Sequence, residues 1–363
     1  MQHVYIHVPF CQRRCSYCDF SIAVRKRIPV REYLDAVLKE AATLELADFE
    51  TIYVGGGTPS LLPAEAILAL LHELTSPRRT PHAAREVTIE ANPEDVTVDS
   101  ARIWKAAGVN RVSLGAQSFD DAVLQWMHRS HDAAQTRRAV QALRGAGIEN
   151  ISLDLIFGLP EELHRNWERD LDNLCSLLPA HCSLYGLTVE PRTPLDRWIS
   201  RGATQAPDDE RYAEEYLFAH RRLTADGYQF YEVSNAARDG FRSRHNSAYW
   251  SGRAYVGLGP AAHSFDGRTR RWNLRAWEAY RRAIAEGRSA VESEETLTEE
   301  QRETERVYLA LRTVEGLPVT ARYRPLPPLT AQGWVVVRDG RVKCTPEGWL
   351  RLDSIVTHTE TQQ

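Results

Sequence analysis

Two spacings of apolar residues alternate along roughly the first 260 positions of the chain. Short runs rich in β-branched and aromatic residues read as strands: HVYIHV (3–8), TIYVG (51–55), EVTIEAN (86–92), RVSLGAQ (111–117), ISLDLIFG (151–158) and CSLYGLTVE (182–190). Between them the spacing becomes that of amphipathic helices. REYLDAVLKEAATLEL (31–46) sets Leu34, Val37, Leu38, Ala41 and Leu44 on one stripe, and PAEAILALLHEL (63–74) opens with Pro63 in its first turn. DSARIWKAAG ends on Gly108, and DAAQTRRAVQALRGAG on Gly145 and Gly147, residues that suit helix C-termini.

Strand-then-helix units in series imply a parallel sheet with right-handed crossovers. About six units predict an α/β fold, a partial (β/α)6 barrel of the TIM type. In such a barrel the loops after the strands carry the chemistry. Polar or glycine-rich residues should therefore stand at the strand ends, and they do. A cysteine loop follows the first strand and GGGTPS (55–60) the second; the third ends at Glu90 and Asn92, the fourth at Gln117, and the fifth carries Asp154. One polar strand residue is usually a satisfied core group; five strands in succession form a pattern.

The tail differs. TLTEEQRETERVYLALRTVEGL (296–317) reads as a helix with a capping-box start at Thr298, VVVRDGRVKCTP as a hairpin turning at Asp339-Gly340, and EGWLRLDSIV as a closing helix. Helix, hairpin and helix predict a small winged-helix-like α+β module. Proline-rich PLPPLT (325–330) reads as a linker or shortened turn. The expected division is a barrel core with its adjoining motif region over 1–265 and the module over 266–363.

Charge removes several partners. Against 49 Asp+Glu stand 45 Lys+Arg, a net −4, so no global basic field points to nucleic acid, and the tail's charges are mixed. No apolar run approaches the length of a bilayer span. The start, MQHVYIHVPF, reads as a strand rather than a signal peptide, so the expected location is the cytoplasm. In that compartment clustered cysteines suggest a metal or catalysis, whereas scattered Cys175, Cys182 and Cys344 read as small buried residues.

HVPFCQRRCSYCDF holds Cys11, Cys15 and Cys18 within eight residues, with no second pair. Structural zinc usually takes four ligands in two pairs. His7 could be a fourth ligand, but it stands on a strand. An iron–sulfur cube takes one thiolate per iron. Three protein thiolates leave one iron open, and an open metal position is where a cosubstrate can bind.

This C-x3-C-x2-C spacing, with Tyr17 before the last cysteine, resembles the radical S-adenosylmethionine (SAM) superfamily. The resemblance implies a [4Fe–4S] cluster on Cys11, Cys15 and Cys18 whose fourth iron is chelated by SAM; electron transfer into the sulfonium then releases a 5′-deoxyadenosyl radical. GGGTP, whose Gly55, Gly56 and Gly57 expose backbone at close range, resembles the superfamily's site for the amino end of SAM. Together with TIEANP, GAQSF and DLIFGLP, these motifs resemble the branch containing oxygen-independent coproporphyrinogen III dehydrogenase, over about residues 3–265. By that resemblance Tyr5, Gly56, Gly57, Thr58, Glu90, Gln117, Arg129 and Asp154 surround SAM, and the backbone of Tyr185–Thr188 flanks its adenine. Carboxylates suit ribose hydroxyls, and an arginine fork suits the methionine carboxylate.

Two groups part within this branch. The dehydrogenases carry a further cysteine two positions after the third, and an N-terminal extension. Here Phe20 takes that position, and ten residues precede Cys11. SRHNSAYW (243–250) resembles the HNxxYW signature of the haem-chaperone group, which GLGPAAHSF (257–265) also matches. The resemblance implies haem contact through His245, with His263 a second candidate; imidazole is a good axial ligand and flat aromatics suit a porphyrin. The expected function is haem binding and delivery to haem-requiring, respiratory proteins. The expected partners are haem, those recipients, and a reductant such as flavodoxin or ferredoxin, with membrane contact only through recipients. The alternative is a radical SAM coproporphyrinogen III dehydrogenase of porphyrin biosynthesis. A zinc-bound interaction module is the weakest reading, because it leaves Glu90, Gln117 and Asp154 without a role.

Overall fold

The computed structural model describes residues 2–44, 49–75, 84–320 and 327–360. Six parallel strands carry the first half: β1 (His3–Val8), β2 (Thr51–Gly56), β3 (Glu86–Ala91), β4 (Arg111–Gln117), β5 (Asn150–Phe157) and β6 (His181–Gly186). They pair in chain order. Three short strands extend the sheet: β7 (Gln229–Phe230), β8 (Asn235–Ala237) and β9 (Val256–Leu258). Among the described residues the sheet has nine strands in the order β9-β1-β2-β3-β4-β5-β6-β8-β7, and its ends do not join. The result is an open α/β barrel. β9 runs parallel to β1 (Val4↔Val256), while β8 is antiparallel to β6.

The period-2 pattern separates two faces. Val4, Ile6 and Val8 are fully buried in the core shared with Tyr33 and Val37 of α1 (Val30–Ala42). The alternate residues His3, Tyr5 and His7 make polar contacts on the other face. The buried stripe of α1 sits one position from the expected one. Tyr33, Ala36, Val37, Glu40 and Ala41 are buried, and Leu34 and Leu38 pack at the margin, because the Tyr33 hydroxyl reaches in to donate to the His7 carbonyl at 3.0 Å. Pro63 is the N-cap of α2 (Ala64–Leu74) rather than a first-turn residue. Thr97 with Ser100, and Asp132 with Gln135, close capping boxes on α3 (Val98–Ala106) and on the helix Ala133–Gly145. Gly108 and Gly147 follow those two helices with φ of 90° and 79°.

A three-stranded antiparallel sheet covers 263–296, spanning both sides of residue 265: β10 (His263–Phe265), β11 (Thr269–Asn273) and β12 (Val291–Thr296). The last module packs the helix Glu299–Arg312, capped by Thr298 and Gln301, against a second small sheet. That sheet consists of β13 (Leu317–Pro318), β14 (Val335–Arg338) and β15 (Arg341–Cys344), with the predicted turn at Asp339 (φ 53°) and Gly340 (φ 69°). The expected closing helix is two pieces, Pro346–Trp349 and Leu352–Glu360. Of the proline-rich segment, residues 325 and 326 lie outside the described residues; Pro327–Ala331 forms a helical turn with Leu329 buried, not an open linker. No helix among the described residues is long and apolar enough to cross a membrane.

Candidate functional site

The cysteine loop leaves β1 and is tied at its neck. Phe10 and Cys11 pair in parallel with Ala23 and Val24, and the amides of Ala23 and Arg25 donate to the carbonyls of Pro9 and Cys11 at 2.7 and 3.0 Å. Further along, the Ser16 amide donates to the Met127 carbonyl at 3.2 Å, and the Leu195 amide to that of Ser16 at 2.8 Å. Local turns and distant backbone thus both fix the loop. Cys11, Cys15 and Cys18 carry free thiols and line one cavity of about 410 Å3. The Cys11 thiol lies 3.4 Å from the Thr58 hydroxyl, and burial pushes its pKa up to about 11.

The strand ends close around the same cavity, whose wall also holds Tyr17, Gly56, Gly57, Thr58, Glu90, Gln117, Arg129 and Asp154. The glycine strip is tight. The Gly57 amide donates to the Val8 carbonyl at 2.7 Å, and a Cβ on Gly57 would meet backbone atoms of Pro9 and Phe10 at 2.8–2.9 Å. Gly56 has φ of 117°, a conformation that L side chains rarely adopt. Its amide donates to Glu90 Oε2 at 3.0 Å, and the Tyr53 hydroxyl donates to Oε1 at 2.8 Å. Burial nevertheless pushes the Glu90 carboxyl up to about 7, because it outweighs those two bonds.

Arg129 joins the third and fourth strands to the loop. Its Nη2 donates to Asn92 Oδ1 at 2.6 Å and to the Gly115 carbonyl at 3.1 Å, and its Nη1 faces Cys15 Sγ at 3.6 Å. Its Nε is buried without a hydrogen-bond partner. Gln117 sits in left-handed backbone (φ 62°) beside an irregularity in the β4–β5 register, which turns its side chain back over Gly115. Asp154 accepts from the hydroxyls of Ser113 and Ser152 at 3.0 Å, and burial raises its pKa.

Tyr5, His7 and His245 do not line this cavity. The Tyr5 hydroxyl bonds His7 Nδ1 at 3.1 Å, and His7 Nε2 meets the Ser21 carbonyl at 3.2 Å. His245 is 1% exposed; its Nδ1 lies 2.7 Å from the Thr51 hydroxyl and its Nε2 2.9 Å from that of Tyr249. Burial drives the His245 imidazole down to about 3, so the ring is neutral. Its helix, Arg244–Trp250, plugs the polar side of the sheet. Glu86 of β3 accepts from the amides of Arg244 and His245 at 2.8 and 3.0 Å.

Sequence reading flagged Asn92 at the end of the third strand but not as the anchor of Arg129. It passed over Ser113, which stands under Asp154 on a strand already flagged as polar, and Glu86. Glu86 gave no signal, since its partners lie 157–159 positions away.

The radical SAM superfamily model matches residues 5–174, and the HemN C-terminal domain model matches 297–351. The protein named "Heme chaperone HemW" from Bacillus subtilis is 38% identical over 322 residues, covering 87% of this chain and 85% of that one. The chain belongs to the HemW family of radical SAM proteins. A Mycobacterium tuberculosis protein of the same name is 36% identical, with 97% and 93% covered. The fold superposes on coproporphyrinogen III oxidase (HemN) from Escherichia coli with a TM-score of 0.84 at 22% identity, covering 100% of this chain and 90% of that one.

Membership in the radical SAM superfamily implies a [4Fe–4S] cluster and SAM. The residues present fit both. Among the described residues no His, Cys, Asp and Glu group is arranged for a single metal ion. A cubane does not require that convergence, because each thiolate binds a different iron. Three free thiols share the cavity wall, beside a glycine strip that a Cβ would obstruct and a buried guanidinium with an unpartnered N–H.

Proposed function

We propose that this protein binds haem and delivers it to haem-requiring proteins, holding a [4Fe–4S] cluster and SAM in the cysteine-loop cavity. The similarity to proteins named heme chaperone HemW, across 85–93% of their length, carries the reading. Phe20 adds to it: 61% exposed in the cavity wall, it stands where the related dehydrogenases are expected to carry a cysteine.

In this reading Cys11, Cys15 and Cys18 hold three irons. The carbonyls of the Gly56–Thr58 strip take the amino end of SAM, and Arg129 takes its carboxylate. Glu90, Gln117 and Asp154 bond the remaining polar groups. Tyr17 and Leu187 cover the apolar side of the cavity. Bound together, the cluster and SAM would supply one-electron reductive cleavage of a sulfonium. An acidic reductant of the flavodoxin or ferredoxin class and a cytoplasmic location belong to the same proposal.

Protein purified without oxygen should be brown, with about four irons per chain. One equivalent of haem should then give a shifted Soret band, and coproporphyrinogen III with SAM and reductant should remain unconverted. Sustained formation of vinyl product would overturn the chaperone reading in favour of the dehydrogenase.

A further inference from the structure

The helix Arg244–Trp250 has two differently occupied sides. His245 and Ala248 are buried toward the sheet. Tyr249 and Trp250 instead enter the wall of a second cavity, of about 440 Å3, in the range of small-molecule sites, roughly 300–1,000 Å3. Tyr255 and Phe265 continue that wall. Tyr249 and Tyr255 meet edge to face at 4.6 Å, and Tyr255 lies 6.3 Å from Phe265. The slot is therefore walled by a run of aromatic rings set edge to face and tilted.

Two other histidines stand in the same wall as this aromatic surface or behind it, and neither is free. His7 bonds Tyr5 and the Ser21 carbonyl; His245 bonds Thr51 and Tyr249. His263, at the start of β10, differs from both. It lines the slot, it is exposed, and its ring lies nearly parallel to Trp272 at 5.9 Å and 25°. Among the described residues no hydrogen bond engages its ring nitrogens. A metal ligand needs such a nitrogen lone pair, and an aromatic neighbour orients the ring that carries it. Arg253 and Arg270 share the wall. They pair with Glu50 and Glu305, and each keeps further N–H donors.

We propose that this slot is the haem site, with His263 as the iron ligand and Arg253 and Arg270 receiving the propionates. The assignment rests on the haem-chaperone reading and moves the iron from His245, whose nitrogens are both committed. It also places the cargo next to the cluster cavity. The His7 ring separates the slot from Gly56, and a Cβ on Gly56 would meet that ring at 2.8 Å.

The test is haemin titration of the full-length, cluster-reconstituted protein, followed by absorbance and magnetic circular dichroism. Wild type should bind one haem with a histidine-ligated spectrum. His263→Ala should weaken binding at least tenfold and lose that spectrum, with free imidazole restoring it. His263→Met should bind with a thioether-ligated spectrum, which shows that the fold and slot survive. If His263→Ala binds like wild type, or if His245→Gln alone abolishes the histidine signal, the site assignment is wrong while haem binding stands. If wild type binds no haem, the chaperone reading fails and takes the site with it.

Discussion

Glu90 carries two opposing demands. Tyr53 and Gly56 donate to it as they would to a carboxylate, yet burial lifts its pKa from 4.5 to about 7. A carboxyl raised in the folded state favours folding below its unfolded value, and that contribution is lost as pH rises through the folded value. Ligand-free protein should therefore lose stability between about pH 4.5 and 7. Glu90→Gln should melt above wild type at pH 8, and by a smaller margin at pH 5. Equal margins in the two thermal scans would mean that Glu90 is not the titrating group. Gly57 makes a steric prediction. Its Cβ position is walled by the Pro9 and Phe10 backbone at 2.8–2.9 Å, directly before Cys11. Gly57→Ala should leave far-UV circular dichroism unchanged but lower reconstituted iron by half or more; full iron content would show that the loop can shift. The polar character of position 90 and the glycine strip were legible in the sequence. The sign of the Glu90 shift was not, because it depends on burial that only the folded barrel creates.

At the scale of elements, the short helix Arg244–Trp250 depends on a distant residue. Seven residues are too few to hold a helix unaided. Ser243 caps it locally, and Glu86 accepts from the Ser243 hydroxyl and the next two amides. Glu86→Ala would strand buried donors and should cost roughly 2–4 kcal/mol in urea denaturation. Glu86→Gln, which keeps an acceptor, should cost less; identical losses would assign the effect to packing. The long parallel strands were legible because six to eight residues show a period. The two- and three-residue strands β7, β8 and β9 were not, since so few positions show no alternation. RHNSAYW stood out only as a motif. Its inward and outward sides became separable once the sheet gave it a direction.

For the molecule as a whole, Trp349 fastens the C-terminal module to the barrel. It is 6% exposed within the main core, and its Nε1 donates to the Leu311 carbonyl at 3.1 Å. Trp349→Ala should cost about 3–5 kcal/mol locally. Limited proteolysis should then release a C-terminal fragment while a barrel fragment survives; loss of both at one protease dose would show a single cooperative unit. The barrel class, the site at the strand ends and the hairpin module were readable because each has its own local pattern. The open sheet's outer neighbours, the antiparallel sheet over 263–296 and the aromatic slot were not, because they arise from residues that meet only in the finished fold.

The pairing of β9 with β1 has a consequence for biosynthesis. Residues 4–6 wait for residues 256–258 before their free edge is covered. At roughly 5–20 residues per second, translating the intervening ~250 residues takes on the order of 12–50 s. Through that interval the outer edge of β1 keeps backbone amides and carbonyls unpaired, so a strand of another unfinished chain can add to that edge until β9 occupies it.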